Sequence, residues 1–174
     1  MRRTGGVIGG ASSFAVDGRQ YVAVMAGFGG AYALALPTSP DPHKRPYGRV
    51  LVFRIDGTAK LPPYQRPVMP AQIVEQRWPA AIVAAGEGLY AANCSTCHGS
   101  SAYSSGVLPD LRRSPAIADQ ALFASVVRDG ALRDRGMIGF GKWLPSEQVE
   151  AIRAFLAQQA RALGADEGAA PAGK

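Results

Sequence analysis

Cys94-Ser95-Thr96-Cys97-His98 is the stretch that decides the fold. Two cysteines separated by two residues, with histidine directly after the second, is the pattern in which both thiols bond the vinyl groups of a porphyrin and the histidine ligates its iron from the same turn. The sequence therefore predicts one covalently attached c-type haem, with Cys94 and Cys97 as attachment points and His98 as an axial iron ligand. Two other chemistries use C-x-x-C. A redox dithiol should follow a strand and open a helix in a βαβ setting, whereas this motif ends a helical run. Zinc needs four ligands, and the chain offers only Cys94, Cys97, His98 and the remote His43 as soft or imidazole donors. With both cysteines in the motif, no structural disulfide is left.

A second axial ligand should lie downstream. The candidates are His43, Met25, Met69, Met137 and Met1. Met137 fits best, because Gly136 and Gly139 flank it in Arg135-Gly136-Met137-Ile138-Gly139-Phe140 and let the backbone come close. Met25 lies in a β-prone run and Met69 in a proline-rich stretch; a packed loop methionine is the plain alternative for Met137. Paired His and Met ligands close both axial positions and favour outer-sphere electron transfer over oxygen chemistry. The free ring N–H of His98 needs an acceptor, for which Leu108-Pro109-Asp110-Leu111 offers the Pro109 carbonyl. Arg112 and, less well, Arg113 could pair with a haem propionate. Phe140 and Trp143 read either as the haem edge or as core.

Around the motif the apolar period is helical. Ile82, Gly86, Leu89, Tyr90 and Asn93 share one face of a helix running into the cysteines. Asp119 should cap a second helix, with Leu122, Phe123, Val126 and Val127 as its apolar positions and Gly130 as its stop. Ser146, after Pro145, should cap a third with Val149, Ile152, Phe155 and Leu156 inward. The tail, residues 162–174, is Ala/Gly-rich and reads as disordered.

Upstream the period is two. Residues 12–16 and 20–26 form a predicted hairpin around Asp17-Gly18-Arg19, and 49–55 a third strand ending at Asp56-Gly57. Three strands alone lack a packed face. Residues 58–80 carry prolines at 62, 63, 67, 70 and 79 and predict an extended linker, or a belt along a partner surface.

The formal charge is +6, but its distribution matters more. Residues 1–80 hold ten Lys/Arg against four Asp/Glu, and residues 81–174 nine against nine. Basic residues are not interleaved with aromatics, so the charge predicts a solvated or partner-facing surface rather than nucleic-acid binding. No run approaches the roughly 18 apolar residues of a membrane span. Arg2 and Arg3 precede Gly5-Gly6-Val7-Ile8-Gly9-Gly10, which is too glycine-rich for the apolar core of a cleavable signal.

These residues resemble two parts of a known family. Residues 81–161 resemble class I c-type cytochromes: Gly86, Tyr90 and Phe155 look like that family's crossing of first and last helices, and Pro109 and Met137 fall where its proline and methionine fall. The first part is similar to the end of the quinone-binding propeller of quinohaemoprotein alcohol dehydrogenases, through Val16-Asp17-Gly18-Arg19-Gln20-Tyr21-Val22-Ala23-Val24, Ala26-Gly27-Phe28-Gly29-Gly30 and Gly48-Arg49-Val50-Leu51-Val52-Phe53. The resemblance implies a mainly α class I cytochrome c domain, three main helices around haem, preceded by a short β remnant of a propeller blade (1–57) and a proline-rich linker (58–80).

It also implies a periplasmic location, since c-type haem is attached outside the bacterial cytoplasm. The implied partners are a propeller binding pyrroloquinoline quinone (PQQ) and calcium, in cis or trans, and a downstream redox protein or membrane-quinone acceptor. The departures count as well. A closed propeller at about 40 to 45 residues per blade needs far more than 57 residues, so the quinone and calcium belong only to a complete parent enzyme. Phe28 stands where an aromatic facing the quinone, often Trp, is expected.

Overall fold

A computed structural model of the chain describes residues 7, 9–27, 48–61, 69–104 and 108–169. The chain divides into two compact units, Met1–Val68 and Met69–Lys174.

In the first unit β1 (Ser12–Val16), β2 (Arg19–Ala26) and β3 (Arg49–Phe53) form an antiparallel sheet in the order β1-β2-β3. Asp17 and Gly18 both have positive φ, 50° and 71°, the requirement of a two-residue hairpin loop matched to strand twist. That pins the register, pairing Phe14 with Tyr21, whose rings stack at 5.5 Å. The third strand stops at Phe53, earlier than expected, because residues 55 and 56 turn and leave Ile55 fully exposed.

The second unit is helical. Its long elements are α1 (Ala80–Asn93) and α4 (Ser146–Ala169). They touch backbone to backbone at Gly86, where a Cβ would sit 1.9 Å from the Ala151 carbonyl oxygen. Close approach lets Tyr90 reach Phe155, ring centroids 5.1 Å apart. Val83, not the expected Ile82, joins Gly86 and Tyr90 on the buried face, and Ile82 is exposed. A single turn, α2 (Ser95–His98), follows α1. Asp119 caps α3 (Gln120–Ala124) by accepting the Leu122 N–H at 3.0 Å. The helix then widens to a π turn over Ser125–Asp129 and stops at Gly130, which is left-handed. Ile117, Phe123, Val127, Ile152 and Phe155 form the centre of the core. Ser146 is the first residue of α4 rather than its cap, and the Pro145 carbonyl receives the opening N–H groups of Gln148 and Val149.

Two boundaries differ from the sequence reading. The second half of the expected linker, residues 69–79, is a strap on the helical unit itself. Val74 is buried in the core and Trp78 packs against it. The Trp78 indole N–H donates to Glu150 at 2.9 Å, and Arg153, buried on α4, stacks on the Trp78 ring and donates to Gln76, Glu150 and the Ile117 carbonyl. Burying an arginine demands such complete pairing, and it is met by joining the strap to α4. The expected disordered tail is also helical to Ala169, with Leu163 buried. Its alanines favour helix, and the strap supplies the partner, with Ile73 lying against Gly164.

Candidate haem-binding site

The attachment motif is placed by the end of α1. The Cys94 N–H still bonds the Tyr90 carbonyl at 2.8 Å, but Cys94 leaves helical geometry, and α2 restarts with His98 N–H on the Cys94 carbonyl at 2.9 Å. Gly99 ends this turn at φ 76°, and a Cβ there would lie 2.1 Å from the Tyr103 carbonyl oxygen. The Tyr90 hydroxyl donates to the Gly99 carbonyl at 2.7 Å. One residue of the helix crossing therefore also fixes the exit from the motif. Burial pushes the Tyr90 phenol well above its ordinary range, so the hydroxyl stays protonated and a donor.

Both cysteines are free, Cys94 partly buried and Cys97 exposed. Burial, then the neighbouring Cys97, raises the Cys94 thiol to about 11. A catalytic dithiol is activated by the opposite shift. Among the described residues no three His, Cys, Asp or Glu side chains converge as an ion-sized ligand group. Burial holds the His98 imidazole below its ordinary value, hence neutral and able to ligate, and its Nδ1 is buried without a hydrogen-bond partner. Two unpaired thiols and a neutral imidazole on one turn fit a haem.

The other expected site residues fall as follows. Met137 is half-buried against the core, its N–H bonded to the Leu132 carbonyl at 3.2 Å. The glycine beside it serves a close approach: a Gly139 Cβ would lie 2.7 Å from the Arg128 carbonyl oxygen, because Phe140 and Gly141 bond back to Val127 and Arg128 across the π turn. Phe140 packs on the core, and Trp143 is exposed with its ring edge-on to Phe140 at 6.3 Å. Met25 and Met69 have exposed side chains, while His43, Met1 and Phe28 lie outside the described residues.

The expected bond from His98 to the Pro109 carbonyl is not formed in this structure. Arg112 is buried, but Asp110 takes its fork at 2.8 and 2.9 Å and its guanidinium lies 4.6 Å from the centre of the Tyr103 ring, so the expected propionate partner already has a rival. Arg113, also buried, bonds Asp110, Glu167 and the Met69 carbonyl. Sequence reasoning missed Asp110. Its signal was present, an acidic residue just ahead of two adjacent arginines.

The family described as cytochrome c oxidase, cbb3-type, subunit III matches residues 81–156. Quinohemoprotein alcohol dehydrogenase ADH IIB of Pseudomonas putida is 39% identical over 158 residues, 87% of this chain and 22% of that protein. The chain is similar to a small C-terminal part of the quinohaemoprotein alcohol dehydrogenases. The dehydrogenase subunit of the quinone-type alcohol dehydrogenase of Acetobacter aceti is 36% identical over 163 residues. Solved quinohemoprotein alcohol dehydrogenases agree: ADHIIG of P. putida HK5 superposes with a TM-score of 0.66 at 34% identity, over 92% of this chain and 23% of that one. The Comamonas testosteroni enzyme gives 0.59 at 34% identity, over 90% and 22%. The chain spans about a fifth of the length of these quinohaemoprotein relatives. An alignment over 87% of the chain must take in most of its first 80 residues as well as the cytochrome domain.

Proposed function

We propose that the chain is a c-type haem electron-transfer module. Cys94 and Cys97 hold one haem covalently, His98 and Met137 ligate its iron, and the domain accepts single electrons from the PQQ site of a dehydrogenase propeller and passes them to a downstream redox protein or a membrane-quinone acceptor, in the periplasm. The carrying observation is the single turn after α1, where two free thiols and a neutral, half-buried imidazole stand together. The haem supplies the one-electron chemistry. The chain's residues do the rest: Tyr90 and Gly99 set the turn, burial of Nδ1 keeps water from that side of His98, and the 130–141 loop presents Met137.

Covalent attachment is tested by expressing the chain in a host with c-type maturation and export. Acid denaturation should leave the colour on the protein with a mass gain of about one haem. Loss of haem on denaturation would overturn the reading. The Cys94→Ala, Cys97→Ala double variant should leave haem extractable. Met137→Ala should abolish the far-red sulfur-to-iron charge-transfer band of the oxidised protein and lower the reduction potential; if His43→Ala did this instead, ligation would be bis-histidine.

A second reading, a subunit or fragment of a PQQ-dependent alcohol dehydrogenase needing a separate propeller chain, is favoured by the likeness of the first 80 residues to those enzymes. The purified chain with added PQQ and calcium should oxidise no alcohol by itself; turnover by the chain alone would sink both readings.

A further inference from the structure

We propose that Arg113 is a positioning residue for the His98 ligand, acting through the turn that carries Pro109. The inference rests on the haem reading above and extends it to residues outside the matched cytochrome domain.

The three-residue turn Leu111–Arg113 is held from several sides. Its Arg112 carbonyl accepts the Gln72 N–H of the strap at 2.8 Å, and the Arg112 fork is closed on Asp110. Arg113 joins three segments at once: the strap through the Met69 carbonyl, its own turn through Asp110 at 3.3 Å, and the far end of α4 through Glu167. A planar guanidinium can bridge three directions in this way, and an ammonium cannot reproduce the geometry.

The other side of the same loop is fastened to the segment leaving His98. Leu108 exchanges two hydrogen bonds with the buried Ser104 hydroxyl, at 2.8 and 2.9 Å, and Leu111 N–H bonds the carbonyl of the fully buried Ala102 at 3.1 Å. Pro109 lies between these two fastenings. Its carbonyl accepts no hydrogen bond from the described residues, and the Nδ1 of His98 is buried without a partner. An iron-ligating imidazole is oriented by an acceptor for its second ring N–H, which also raises its basicity and favours ferric iron. The spacing of Pro109 from His98 is therefore set by the strap and the end of α4 through Arg113.

The plain alternative is that Arg113 staples the two ends of the unit and affects stability alone. The reduction potential of the full-length haem-loaded chain separates the two. Arg113→Lys conserves charge and loses the three-way bridge. It should keep covalent haem and shift the one-electron equilibrium toward ferrous iron about threefold, about 28 mV upward at 59 mV per tenfold. Gln72→Pro removes the uncharged N–H that the strap donates to the same turn and should shift it in the same direction. Lower melting temperatures with an unchanged potential in both variants would reduce Arg113 to a staple. An unchanged Arg113→Lys beside a lowered Arg113→Gln would make it a source of field only, and either result overturns the proposal. Absence of covalent haem from the unaltered chain would overturn the haem reading and the proposal with it.

Discussion

The sheet and the helical unit draw on similar apolar residues and use them in opposite ways. In the helical unit Val83, Ile117, Phe123, Ile152 and Phe155 are buried, whereas in and beside the sheet Val16, Val50, Val52, Phe53 and Ile55 stand in solvent. A helix pair closes a core between its own faces. A three-stranded sheet has two faces and needs something laid on one of them. The difference teaches that the second unit contains its own packing partner, whereas the sheet leaves these side chains open to solvent.

The strongest way to break that comparison is to separate the units. Residues 69–169 alone should take up covalent haem and melt as the full chain does, while residues 1–68 alone should show no cooperative transition in calorimetry. Starting at residue 81 removes Val74 itself and the strap partners of Arg153 and Arg161, and should cost on the order of 3–5 kcal/mol, since a buried arginine loses an acceptor and a core valine is lost. Equal stability of the 69 and 81 starts would show the strap to be a passive leader.

Within the helical unit the crossing gives the next effect. Gly86→Ala drives a Cβ into the Ala151 backbone and should cost about 3 kcal/mol, whereas Gly88→Ala, with nothing within 4 Å, should gain about 0.5–1 kcal/mol from helix propensity. Thermal melts of both variants compare a tight site with an open one on the same helix.

The cysteines sharpen the contrast at smaller scale. In protein without haem, iodoacetamide at pH 8 should label exposed Cys97 about tenfold faster than Cys94, whose thiol is raised from 9.0 to about 11. Because this pKa is raised on folding, the stability it contributes is complete below pH 9 and is lost as pH rises toward 11. Urea melts of the same protein from pH 8 to 11 should show that fall, and Cys94→Ser should flatten it. Tyr90→Phe leaves the tilted ring contact with Phe155 and unpairs the Gly99 carbonyl, at about 1 kcal/mol. Last, Val50→Thr with Phe53→Thr should alter stability by less than about 0.5 kcal/mol and reduce aggregation, measured by light scattering.

The motif, the glycine of the crossing and the capped helix at Asp119 were legible because each depends on a few adjacent residues. The spacing of Cys94, Cys97 and His98 points to one chemistry, helical periodicity puts Gly86 and Tyr90 on one face, and their crossing with Phe155 was implied by the resemblance to class I cytochromes. The strap was not legible. Prolines signal extended backbone but not what lies beside it, and residues 69–79 pack through contacts with residues some 40 to 90 positions away. The tail misled for a related reason: Gly164 weakens a helix on propensity, yet here it makes room for Ile73. Arg112 offered a charge to a propionate on sequence grounds, and only the fold shows Asp110 already holding it.

Arg113 has one further consequence. Its single guanidinium touches both the first residue of the helical unit, Met69, and a residue near the end of the last helix, Glu167. Met69 and Glu167 are therefore separated by little more than the width of one side-chain group. A compact body whose ends meet can be spliced into a surface loop of another protein, or reopened elsewhere and rejoined, without being pulled apart. Residues 69–167 have the geometry of an insertable cassette.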